Sequence, residues 1–158
     1  MRKEKTVTLS DRGRELTFKI REMPATRLES WIVRAGLLLA STGVLDTASI
    51  TDAGEAIQAA GKVIADGGLA ALGKVDFEKA QPLLDELLLC CEHIVDGTGH
   101  KVTPDTVDGI IEDVKTLFAL RKEVITLNFD FFAPDGKSAT AAAGTTRQGP
   151  ARRSISVR

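Results

Sequence analysis

Tyrosine is missing from this 158-residue chain, histidine and cysteine occur twice each, and tryptophan once. No CxxC pair exists to complete a tetrahedral zinc site. The two cysteines, Cys90 and Cys91, are adjacent, a poor geometry for a structural disulfide, and this points to a reducing compartment. Long apolar runs are also absent: none approaches the roughly 18 residues of a membrane span. Met1-Arg2-Lys3-Glu4-Lys5 leads into alternating residues where a signal peptide would need an apolar core, so a cytoplasmic location is expected and a membrane partner is not. Net charge is nearly absent too, at -1, but unevenly spread: residues 133–158 carry +4 and the remainder -5. No aromatic falls among Arg147, Arg152, Arg153 and Arg158, which leaves bases nothing to stack on and disfavours nucleic acid as a partner.

What is present is apolar residue in ordinary amount, 43%, enough for one core. Residues 1–132 are read as one domain and 133–158, which lack apolar periodicity, as a disordered basic tail. Val7 and Leu9 alternate with Thr6, Thr8 and Ser10, and Leu16, Phe18 and Ile20 with Thr17, Lys19 and Arg21, around Asp11-Arg12-Gly13-Arg14. This spacing predicts a β-hairpin with its apolar face on helices. After Pro24, Thr26 and Glu29 have capping-box spacing, and Leu28, Trp31, Ile32, Ala35 and Leu39 predict a helix with Trp31 in the core, stopping at Gly43. That helix carries a second apolar stripe, Val33, Leu37 and Ala40, so it must be covered twice.

Thr51 or Asp52 can cap a short helix through Ile57, Ala60 and Ile64 that ends at Gly67-Gly68. Asp76 caps a turn, Pro82 restarts the helix, and a helix over 82–95 is expected from the arc of Leu83, Leu84, Leu87, Leu88, Cys91, Ile94 and Val95, with Leu89 out of phase. Thr103-Pro104 starts a long helix with Val107, Ile110, Ile111, Val114, Leu117, Phe118 and Ile125 on its buried face, widening to Leu127 and Phe131. The expected fold class is mainly α: an N-terminal β-hairpin, then a compact bundle of about four helices, then the tail.

Candidate chemistry is sparse. Glu86, Cys90 and His93 would share one helical stripe, but the plainer reading is a buried thiol beside a solvated histidine. Gly97-Thr98-Gly99-His100-Lys101 lacks the order of a phosphate loop. Asp85-Glu86 and Glu112-Asp113 are neighbours on helices, as in any solvated acidic face. Arg121 stands inside an apolar stripe and needs a partner, either a carboxylate of the same chain such as Glu22 or an acidic group of a bound protein.

Arg12-Gly13-Arg14-Glu15-Leu16-Thr17-Phe18, Arg21 to Ala35, Ala80-Gln81-Pro82-Leu83-Leu84-Asp85-Glu86 and Leu120-Arg121-Lys122-Glu123 carry a resemblance to the tail assembly chaperones of long-tailed bacteriophages and prophages. The resemblance implies a non-enzymatic protein without cofactor, active in the host cytoplasm and left out of the mature virion. Its implied partners are the tape measure protein and the tail tube protein. Val33, Leu37 and Leu89, the apolar positions hardest to place in one core, are the expected partner contacts, with Arg121, Leu127 and Phe131 as further candidates. Other readings use the same features: stripes that close a homo-oligomer in a structural tail component of the virion, a nucleic-acid-binding regulator using the basic tail, or a thiol or metal enzyme at Cys90 and His93.

Overall fold

The computed structural model describes residues 1–132, with Gly68 and Leu69 described by backbone alone. The expected basic, disordered tail lies outside the described residues. Strands β1 (Glu4–Asp11) and β2 (Arg14–Arg21) form the hairpin. Its two-residue turn, Arg12-Gly13, has φ of 47° and 84°, the type I′ geometry whose twist suits the flanking strands. Next along the chain are helices α1 (Ala25–Ser41), α2 (Ala53–Leu72) and α3 (Phe77–Leu88). Then come β3 (Cys91–Val95), β4 (Thr98–Lys101), a 3-10 turn at Val107–Gly109, helix α4 (Val114–Phe129) and a 3-10 turn at Asp130–Phe132.

The second pair of strands corrects the expected fold class. The protein is not a mainly helical bundle with one hairpin but a four-stranded antiparallel sheet, in order β1-β2-β3-β4, with helices on one face. The helix expected over 82–95 ends at Leu88. A lone hairpin would leave the second edge of β2 unpaired, and burial makes unpaired backbone costly. β3 takes that edge, with Thr17 opposite Ile94, Lys19 opposite Glu92, and Arg21 N–H donating to the Cys90 carbonyl at 2.9 Å. Asp96-Gly97, with φ of 49° and 78°, closes the second hairpin between Val95 and Thr98.

Helix ends depart from expectation for local reasons. The helix α1 starts at Ala25 with Pro24 as its cap and no side-chain cap bond, so Thr26 and Glu29 form no capping box. At its other end Gly43 N–H donates to Ala40 and Val44 N–H to Leu39, a Schellman closure that needs the positive φ of Gly43. Asp52 caps α2 by accepting from Glu55 N–H, and Glu55 in turn accepts from Thr51 N–H, both at 2.9 Å. α2 runs through Gly67-Gly68 to Leu72, because buried Ile64, Ala71 and Leu72 anchor both sides of the glycines.

The last helix starts at Val114, ten residues after Pro104, because another part of the chain intervenes. The buried Asp11 carboxylate, at the end of β1, accepts from Glu112 N–H (3.0 Å) and Asp113 N–H (2.8 Å) and takes an ion pair from Arg14. Asp113 then caps α4 by accepting from Lys115 N–H. This turns the buried face onto Thr116, Leu120, Val124, Ile125, Asn128 and Phe129 and leaves Val114 and Phe118 exposed, against expectation. α4 lies on β1 and β2, and α2 and α3 each pack against both α1 and α4. Trp31 is fully buried where these layers meet, its Nε1–H donating to the Leu83 carbonyl (3.0 Å) and its ring 5.5 Å from that of Phe129. Asn128 is polar in that core but satisfied: its Oδ1 accepts from Met23 N–H and its Nδ2 donates to the Val124 carbonyl, both at 2.8 Å. Lys3 and Lys5 pair with Asp130 and Glu123, and the Thr116 hydroxyl donates to the Ser10 carbonyl, so β1 is tied near both of its ends to the last part of the domain.

Candidate partner-binding groove

Helices α1 and α2 cross closely at Gly36 and Ala60, where a Cβ added to Gly36 would stand 2.9 Å from the Ala60 methyl. Small residues allow that approach on one side, and beside it the helices diverge into a groove of about 410 Å³. Ile32, Leu45 and Ala60 form its buried floor, Ile50, Ala53 and Ile57 its far wall, and Val33, Leu37 and Ala40 its near wall. Thr47 is the one polar side chain in this lining. Val33 is 42% exposed and Leu37 68%, so the second stripe of α1 remains open to solvent over the groove. An exposed, nearly all-apolar concavity of this kind suits an amphipathic helix or an extended apolar segment.

The other expected partner contacts lie elsewhere. Leu89, also exposed, caps the end of α3 and borders a separate cleft of about 180 Å³ with Arg2, Arg21, Arg27 and Lys101. Leu127 is half-buried against the core. Phe131 is exposed but stacked on Phe132, with ring centroids 4.1 Å apart, beside Glu55, Gln58 and Lys62 of α2. Arg121 lies in the seam between α3 and α4, 11% exposed, with Nη2 3.5 Å from Asp85 Oδ1. Its carboxylate partner is therefore Asp85, not Glu22, which accepts from Lys3 N–H. Burial lowers the Arg121 pKa, opposed by the Asp85 charge, and Nε is buried without a hydrogen-bond partner among the described residues.

The stripe of Glu86, Cys90 and His93 does not form, because helix ends before the thiol and the imidazole belongs to β3. Glu86 instead receives both terminal nitrogens of Arg34 (2.6 and 2.8 Å), and this pairing lowers its pKa. Burial pushes the Cys90 thiol up to about 11 and raises Cys91 as well. His93 stacks on Phe18 at 5.3 Å and faces His100 across the strands; desolvation, with the charges of His100 and Arg14, lowers its pKa.

Sequence reasoning missed Phe118, 50% exposed at a second groove of about 560 Å³ between α2 and α4. That groove includes Asp66 and Lys122 in its wall and is the more polar of the two. The signal that could have found it is Asp113, a better helix cap than Thr103 once Gly109 is counted as a breaker. No protein-family model, no curated protein and no solved structure matches the chain.

Proposed function

We propose that the chain is a non-enzymatic binding protein, a phage tail assembly chaperone that covers apolar segments of the tape measure protein in the host cytoplasm and recruits tail tube subunits. The observation that carries the reading is the open Val33–Leu37 stripe over the α1/α2 groove, which a monomer has no structural need to expose. The motif resemblance over the hairpin and α1 supplies the identity of the partner.

A helical partner segment would place residues at i, i+3, i+4 and i+7 against Ile32, Leu37 and Ile57. Burying two or three such side chains stabilises a complex by about 1.5–3 kcal/mol each before ordering costs. Co-expression with a tape measure protein tests the reading. Leu37→Asp should keep native circular dichroism and lose co-purification, while Leu89→Asp, outside the groove, should keep both. If Leu37→Asp retains the partner, the groove is not the binding surface. If the wild-type chain purifies as a dimer that Leu37→Asp dissolves and no tape measure protein binds, the groove closes a homo-oligomer instead.

A further inference from the structure

The groove has an acidic border. Glu29 precedes Val33 by one turn on the same stripe of α1, and Asp46 and Asp52 are next in sequence to the lining residues Leu45 and Ala53, each with its Oδ1 accepting a backbone N–H, from Ala48 and Glu55. None of the three carboxylates is in an ion pair among the described residues. The described chain ends at Phe132, whose ring lies on Gly61 of α2, where a Cβ would stand 2.6 Å from the ring, on the face that carries Glu55, Gln58 and Lys62 and is turned about 100° from Ala60 of the groove floor. Residues 133–151 can span at most about 65 Å, against a helix diameter of about 10–12 Å. The chain beyond residue 151 is therefore within reach of the groove.

That last segment is Arg152-Arg153-Ser154-Ile155-Ser156-Val157-Arg158. It places two β-branched apolar residues two apart between basic ends, and an extended backbone would turn Ile155 and Val157 to one side and Ser154 and Ser156 to the other. From its first to its last Cα it would cover about 20 Å when extended. The rise of α1 from Glu29 to its C-terminal cap is also about 20 Å. Length, apolar spacing and charge thus match one another along the groove.

We propose that residues 152–158 of the same chain occupy the α1/α2 groove, Ile155 and Val157 against Val33 and Leu37 and the arginines against Glu29, Asp46 and Asp52. The segment then acts as an internal competitor for the groove. The competition rests on the binding role proposed above, whereas the docking does not.

A photo-crosslinker, p-benzoylphenylalanine, in place of Leu37 in the purified full-length chain tests the docking with no partner present. Irradiation should join position 37 to a peptide within 152–158 of the same molecule, and Arg152→Glu combined with Ile155→Asp should abolish that product. The same probe in place of Phe118 should not capture the segment. A covalent dimer, capture of another part of the chain, or no cross-link to 152–158 overturns the proposal. Where a tape measure segment binds, the Arg152→Glu, Ile155→Asp chain should bind it roughly three- to tenfold more tightly. An intrachain cross-link in a protein that binds no tape measure protein would sink the chaperone reading and leave the docking standing.

Discussion

Among single residues, Asp11 does the most to join distant parts of the chain. Burial alone would raise its pKa, but the N–H groups of Glu112 and Asp113 and the Arg14 guanidinium outweigh it and hold the carboxyl below its ordinary 3.8. A pKa depressed on folding adds stability above the ordinary carboxylate range and loses it as the pH falls through the folded value. Asp11→Asn should therefore lower the thermal midpoint at neutral pH and flatten its decline in acid; equal pH profiles for both proteins would show that the carboxylate charge is irrelevant. Trp31→Ala should cost about 3–5 kcal/mol, read by urea unfolding. Burial keeps the Cys90 thiol protonated, with a pKa up to about 11, so a thiol reagent at about pH 8 should label the native chain far more slowly than the unfolded one. Trp31 was legible in the sequence because its neighbours at helical spacing are apolar. Asp11 was not, because its partners lie 101 and 102 residues further along and nothing local marks a turn aspartate as buried.

Among elements, the first hairpin and the core face of α1 could be read directly, since alternation and helical spacing each run long enough to exclude the other. β3 could not be separated from α3 that way. Its apolar residues Cys91, Ile94 and Val95 fall in phase with Leu83, Leu84, Leu87 and Leu88, so one helical arc accounts for them all. The signal against that arc is Asp96-Gly97, the dipeptide that favours a type I′ turn. Gly97→Ala, forced to keep φ near 78°, should cost about 1–2 kcal/mol and loosen β4 first, measured by amide exchange of residues 92–101. Gly36→Ala addresses a different contact, pushing α1 from α2 against the Ala60 methyl, and should cost about 1–3 kcal/mol. Because that crossing sets the groove floor, the same change should weaken partner binding more than its stability loss alone explains. The groove itself was half legible: Val33 and Leu37 were visible as a surplus stripe, but its far wall comes from α2, whose small residues carry a weak periodic signal.

For the whole molecule, removing 133–158 should leave the thermal midpoint within a few degrees while opening the groove to its partner. A larger fall would mean that the tail completes the core. The order of strands also has a consequence for how the protein is made. Outside the hairpin, β1 and Lys3 just before it are held by Asp130, Glu123, Thr116 and the amides at 112 and 113, so every partner of β1 named here other than β2 belongs to the last part of the domain to be translated. At about 5–20 residues/s, a ribosome needs about 5–20 s to pass from Asp11 to Asp113. For that interval the nascent hairpin shows Leu16, Phe18 and Ile20 without α4 to cover them, and neighbouring ribosomes on one message hold several such hairpins close together. The threonines and charges that alternate along β1 then act before any native contact exists, making the free edge a poor template for the hairpin on the next ribosome.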